Sequence, residues 1–163
     1  MTRIAVVSDS HANFRYVGAM RARLGKIDWL LHAGDHFQDA ERVARNLGVE
    51  PSCVRAVVGN CDYPHVQPAE QMIDMDGMRI LMTHGHLFGV KDSYHRVYYR
   101  ARELGARVAV FGHTHLPVLK DDGLVLLLNP GSASRPRLPG EPPSCALLEV
   151  IEGQPSAKIV PLA

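Results

Sequence analysis

Five short segments of this 163-residue chain each close an apolar run with side chains that hold divalent metals. They are Asp9-Ser10-His11, Gly34-Asp35, Gly59-Asn60-Cys61-Asp62, Thr83-His84-Gly85-His86 and Gly112-His113-Thr114-His115. Carboxylate, imidazole and amide carbonyl are donors that a hard-to-borderline cation accepts. The runs ahead of them (residues 4–7, 29–31, 54–58, 80–82 and 108–111) are almost wholly apolar and read as buried strands. In α/β sheets, ligands gather outside the carboxyl ends of strands. One polar group at a strand end is ordinary; five in a small protein imply a metal-dependent active site.

The pattern says what each donor can do. Asp9 and His11, like His113 and His115, stand one residue apart and share a face at a strand end. Asp35 offers two oxygens and can bridge two ions. Asn60 contributes a neutral carbonyl, which suits a site whose charge is already balanced. His86 either meets a substrate or solvates its turn, and His36 either faces the cleft or lies in a solvated loop. His32 reads as a hydrogen-bonded core histidine, and His65 and His95 as surface residues. Arg135 and Arg137, in a Pro/Gly/Ser/Arg-rich segment spanning 129–143, either grip phosphate in bidentate fashion or form a solvated basic loop. Tyr94, Tyr98 and Tyr99 read as packing, and the absence of G-x-S-x-G argues against a serine nucleophile.

The elements that must position these groups alternate at first. A helix is expected over residues 12–24, with Phe14, Val17, Met20, Ala22 and Leu24 near one face and Gly25 as its stop. A second starts at Asp39 as N-cap, carries Ala40, Val43, Ala44 and Leu47, and stops at Gly48. Strands alternating with helices indicate βαβ units. The middle reads as a hairpin (71–74 and 79–82, turning at Asp76-Gly77), followed by a helix over 92–104. Strands then follow over 107–111, 117–120, 124–128, 145–151 and 157–160, and 129–143 is a long loop of the kind that is often functional. Without repeat or linker, residues 1–163 read as a single domain.

Composition narrows the function. A content of 46% hydrophobic and 21% charged residues is that of a globular chain, and a net charge of +1 gives no footprint of a non-specific nucleic-acid binder. No stretch approaches a membrane span and no signal-peptide pattern is visible, so a cytoplasmic location is expected. Three cysteines without a C-x-x-C point to a reducing compartment, with Cys53 and Cys145 as small core residues of strands.

Taken together, the ordered motifs D-x-H, G-D, G-N-C-D, H-G-H and G-H-T-H, with Asn129-Pro130-Gly131-Ser132, resemble the calcineurin-like metallophosphoesterases, closest to their small bacterial and archaeal phosphodiesterases. The resemblance spans Asp9 to Ser132. It implies an α/β fold, a four-layer α/β/β/α sandwich of two facing mixed sheets flanked by helices. It also implies two divalent ions: Asp9, His11, Asp35 and His115 on one, and Asp35, Asn60, His84 and His113 on the other. Two such cations against two carboxylates leave a charge of about +2, which suits a phosphate, and ions roughly 3.5–4 Å apart fit in-line displacement by a metal-bridging hydroxide. Mixed N/O donors accept Mn²⁺, Fe, Co²⁺, Ni²⁺ or Zn²⁺, with Mn²⁺ the expected activator.

One position departs from the wider family. Many relatives carry His where Cys61 stands, and a thiol is a weak donor. The expected catalytic set is Asn60, Cys61, Asp62 and His84, with Asp62 orienting a neighbour such as His11; His86, Arg135 and Arg137 are the candidate substrate contacts. The expected activity is hydrolysis of a small phosphodiester, a nucleotide among the candidates. The alternatives are a phosphomonoesterase or nucleotidase, and a non-catalytic interaction scaffold like the retromer subunit of the same fold, whose ligand positions are degraded. Self-association stays open.

Overall fold

A computed structural model describes all 163 residues. Aliphatic runs buried on both faces form the central strands, and alternation along each strand assigns every side chain to a layer. In β1 (Thr2–Val7), Ile4 and Val6 face the second sheet, whereas Ala5 and Val7 face helices. The first sheet has the order β10-β9-β1-β2-β3, with β2 (Trp29–His32) and β3 (Val54–Ala56) parallel to β1. Antiparallel β9 (Ser144–Ile151) and β10 (Gln154–Pro161) complete it. The second sheet has the order β4-β5-β6-β8-β7, with β5 (Met78–Thr83), β6 (Val108–Val110) and β8 (Leu126–Pro130) parallel. Its flanking strands, β4 (Glu70–Met75) and β7 (Pro117–Asp121), run antiparallel.

Between the sheets lies a dry core that includes Ile4, Val6, Leu31, Ile80, Met82, Val110, Leu128 and Leu148. Helices α1 (Val17–Leu24) and α2 (Asp39–Leu47) cover the outer face of the first sheet through Met20, Leu24, Val43 and Leu47. Helix α3 (His95–Glu103) covers the second through Val97 and Ala101, against Leu81, Ala109 and Phe111. This is the α/β/β/α order that the resemblance implied. No helix is long and apolar enough to cross a membrane.

Register is what assembles the site. Val7 pairs with His32 and His32 with Ala56, so the three strands end level. In the second sheet Met82 pairs with Val110 and Val110 with Leu128. All six parallel strands therefore deliver their carboxyl ends to one rim, and bonds such as Asp9 N–H to Gly34 O (3.0 Å) and Gly112 N–H to His84 O (2.9 Å) continue the pairing past the strands.

Several boundaries differ from the sequence expectations. Helix α1 starts at Val17 rather than at residue 12, because His11 and Ala12 have left-handed backbone (φ +47° and +58°) that a helix cannot include. Phe14 packs on the outer core from the turn, and Ala22 is exposed. Asp39 is the first residue of α2 and caps nothing; its carboxylate is engaged elsewhere. Helix α3 starts at His95, since the Asp92 and Ser93 N–H groups turn back onto Gly89 O. The strand at 54–58 stops at Ala56, and Asn129 and Pro130 belong to β8, which shortens the long loop to 131–143. Cys145 is buried in β9, but Cys53 lies half-buried in a 3-10 turn, Pro51–Cys53.

Candidate metal centre

The donors converge in a strained rim. Asp9, His11, Asp35, His113 and His115 all have positive φ, between +47° and +70°, although none is glycine. Such residues cost roughly 1–3 kcal/mol each and persist only where their surroundings over-determine them. Close approach is enforced at Gly59 and Gly112, where a Cβ would collide with Asp35 and with Ser8 and Asp9, respectively.

Two clusters share Asp9. In one, Asp9 Oδ1 lies 3.2 Å from His115 Nε2, with His11 Nε2 alongside, itself 3.9 Å from Asp35 Oδ2. In the other, His84 Nε2 lies 3.4 Å from Asp35 Oδ1, 3.8 Å from Asp9 Oδ1 and 3.1 Å from Asn60 Oδ1. Two donors held about 2.1 Å from one ion at near-right angles are roughly 3 Å apart, so these spacings suit shared cations.

Hydrogen-bond direction supports the fit. His84 Nδ1 lies 2.7 Å from the Ala33 carbonyl, and His115 Nδ1 lies 2.6 Å from the Arg135 carbonyl. A carbonyl only accepts, so each Nδ1 carries a proton, and in the neutral tautomer a bare Nε2 turns inward, the pattern that orients metal-binding histidines. The His84 lone pair then faces Asn60 Oδ1, and that of His115 faces Asp9 Oδ1. Asp9 Oδ1 and His11 Nε2 are buried and find no hydrogen-bond partner at all. Acceptors aimed at acceptors are costly unless a cation lies between them. The residues present fit divalent metal.

Protonation agrees. Burial pushes the Asp9 and Asp35 carboxyls upward, but the His115 and His84 imidazoles facing them, with the Ser8 hydroxyl on Asp9 and the Cys61 N–H on Asp35, outweigh it and both stay below the ordinary carboxylate value. Burial, His84 and Lys91 lower His113 to about 4, and burial lowers His11, so both are neutral donors at pH 7. Burial alone would lower His84 too, but its Asp35 hydrogen bond and the Asp9 and Asp35 charges raise it instead. A proton there answers the same lone-pair conflict that a cation would.

The remaining residues sort by contact. Asp62 does not reach for His11. Its carboxylate accepts from the backbone N–H groups of Asp35 (2.9 Å), His36 (2.7 Å) and Gly59 (2.8 Å), tying together the loops that carry Asp35 and Asn60. Cys61 donates its N–H to Asp35 Oδ1 (2.9 Å), and its exposed thiol is held protonated, first by partial burial and then by the Asp35 charge. The His113 ring lies 5.1 Å from that of His84, and the His86 ring 5.4 Å, with His86 Nδ1 unpartnered. His36 stands 5.9 Å from His11, ring to ring. The Arg135 side chain is exposed, and Arg137 Nε bonds the Thr114 carbonyl at 3.3 Å. Tyr94 packs on Phe111, as packing requires, while Tyr99 is exposed.

The N-P-G-S segment has a role that its sequence did not disclose. Asn129 Nδ2 donates to Gly112 O and Thr114 Oγ1, and Ser132 Oγ donates to Asp9 O (2.8 Å), so it braces the His113–His115 turn and the Asp9 turn from below.

A two-sheet α/β sandwich with carboxylates, imidazoles and an amide gathered at the carboxyl ends of its parallel strands defines a metal-binding class. The chain matches the model of the calcineurin-like phosphoesterase superfamily domain over residues 2–153 and belongs to that family. It is 37% identical over 136 residues to the probable metallophosphoesterase YsnB of Bacillus subtilis, covering 83% of this chain and 77% of YsnB. It is 31% identical to the phosphodiesterase YfcE of Escherichia coli K12, covering 91% and 88%. A conserved predicted phosphoesterase of Streptococcus pneumoniae TIGR4 superposes with a TM-score of 0.76 at 29% identity, over 98% of this chain and 89% of that one.

Proposed function

We propose that the protein is a dinuclear metal-dependent phosphodiesterase. The observation that carries the reading is the convergence of mutually facing acceptors (Asp9 Oδ1, His11 Nε2, His84 Nε2, His115 Nε2 and Asn60 Oδ1) on one rim, with Asp9 Oδ1 and His11 Nε2 buried and unpartnered. Asp9, His11, Asp35 and His115 would hold one ion, and Asp35, Asn60, His84 and His113 the other. Bound there, the ions supply Lewis acidity toward a phosphoryl oxygen and lower the pKa of coordinated water. The chain's own residues fix the donors: Ala33 and Arg135 carbonyls set the imidazole tautomers, and Asp62 sets the spacing of the Asp35 and Asn60 loops. Cys61, a neutral thiol beside Asp35, is a poor acid, so esters with good leaving groups react best. His86, Arg135 and Arg137 flank the rim as phosphate contacts.

Diester preference draws on the likeness to the phosphodiesterase YfcE. Hydrolysis of a chromogenic diester beside its monoester, by metal-stripped protein with and without Mn²⁺, tests it. Mn²⁺-dependent diester turnover is expected. Preference for the monoester would make the protein a phosphatase, and failure with every divalent ion would favour the scaffold alternative.

A further inference from the structure

Beneath the rim runs a buried polar chain of side chains that are not among the proposed ligands. Asp39 Oδ2, at the start of α2, accepts from Ser10 Oγ (2.6 Å) and from the Ala12 backbone N–H (2.8 Å). Ser10 has one hydroxyl proton, and the carboxylate takes it. The neighbouring His32 Nε2, 2.9 Å from Ser10 Oγ, must therefore donate. His32 Nδ1 is then free to accept, and it takes the Gly34 N–H at 3.2 Å. Every member finds a consistent donor or acceptor, and His32 (0% exposed), Ser10 (2%) and Asp39 (5%) are shut off from water.

The two ends of this chain explain its purpose. One end holds the turn 9–12, in which Asp9, His11 and Ala12 are left-handed at φ +54°, +47° and +58°. The Asn13 N–H closes this turn locally on Ser10 O (3.0 Å), and Asp39 grips it from a neighbouring element at both the Ser10 side chain and the Ala12 N–H. The other end holds Gly34, whose carbonyl accepts the Asp9 N–H and whose successor is Asp35. The chain thus spans the two strand ends that carry Asp9, His11 and Asp35. We infer that Asp39, Ser10 and His32 are positioning residues that set the aim of His11 and its distance from Asp35, and with it the affinity of the His11-side ion. The inference rests on the metal-centre reading above and deepens it.

Titration of the metal-stripped protein with Mn²⁺ by calorimetry tests this without recourse to turnover. Reference variants His11→Ala and Asn60→Ala identify which binding event belongs to which side. In Ser10→Ala and Asp39→Ala the His11-side Kd should rise about 10- to 100-fold, the usual effect of losing a group that orients a ligand. The Asn60-side Kd should stay within about threefold of wild type. Asp39→Asn keeps an oxygen that can accept both hydrogen bonds and should recover most of the affinity, and it serves if the alanine variant fails to fold. Equal weakening of both ions, or no change in either, would overturn the positioning role. An Asn variant as weak as the alanine one would overturn it in favour of the Asp39 charge. Wild-type protein that binds two ions yet cleaves no phosphoester would defeat the proposed function while leaving this result readable.

Discussion

At the scale of single residues, the protonation state of each donor is set by what it faces. His84 and His115 turn Nε2 toward the rim because their Nδ1–H groups are held by backbone carbonyls, and Asp9 keeps an oxygen that nothing satisfies. Removing a group that merely orients a ligand costs about 10- to 100-fold, so removing a ligand should cost more. Asp35→Asn and His84→Ala should each lower Mn²⁺-dependent kcat/KM by more than about 100-fold, with circular dichroism unchanged. Near-normal turnover in both variants would sink the two-ion assignment. These ligand types were legible in the sequence because each closed an apolar run. The part played by Asp39 was not: its spacing reads equally well as a helix cap, and only contact with Ser10 and Ala12 tells the two apart.

At the scale of elements, the junctions after β1 and β2 carry both the ligands and the buried chain that holds them. His32 is lowered to about 4, chiefly by burial and against the opposing pull of Asp39. A base with a depressed folded pKa is neutral in the fold while the unfolded chain takes up protons. Its contribution is therefore present above about 6.5 and is lost as pH falls toward about 4. A shift of this size corresponds to about 3 kcal/mol. His113 adds to the same loss, more weakly because it is less buried, and His84, whose pKa is raised, opposes it. Urea unfolding of metal-free protein should show stability falling between pH 6.5 and 4.5, with a shallower fall in His32→Gln. An unchanged slope in that variant would place the acid sensitivity elsewhere. The histidine's core placement was readable from its apolar neighbours, whereas its link to Ser10 depends on strand register.

At the scale of the whole molecule, the rim is a junction of two sheets, and its donors meet only when the sheets are packed. Metal held by the folded form alone stabilises by RT ln(1 + [L]/Kd), about 2.7 kcal/mol at 100 times Kd for one site. For a chain of this size each kcal/mol moves Tm by about 2–4 °C. Chelation of metal-loaded protein should thus lower Tm by about 5–10 °C, reversibly on returning Mn²⁺, as differential scanning calorimetry would show. A Tm indifferent to metal would mean that the rim holds no ion tightly. Coupling of this kind arises because Asp9 and Asp35 come from one sheet and His84 and His113 from the other.

Sequence alone determined the strands, their buried character and the donor types at their ends, because apolar periodicity and residue chemistry are local properties. It also carried the order of motifs by which the family could be recognised. Tertiary structure decided which donors meet, because that depends on level strand ends, on left-handed turns at Asp9, His11 and Asp35, and on hydrogen bonds reaching between residues as distant as Ser132 and Asp9. It moved the start of α1 to Val17 and turned Asp39 from a cap into a brace, since a strained turn held from a neighbouring element leaves no periodic trace in the chain. Periodicity reports which face is buried; only packing reports what that face touches.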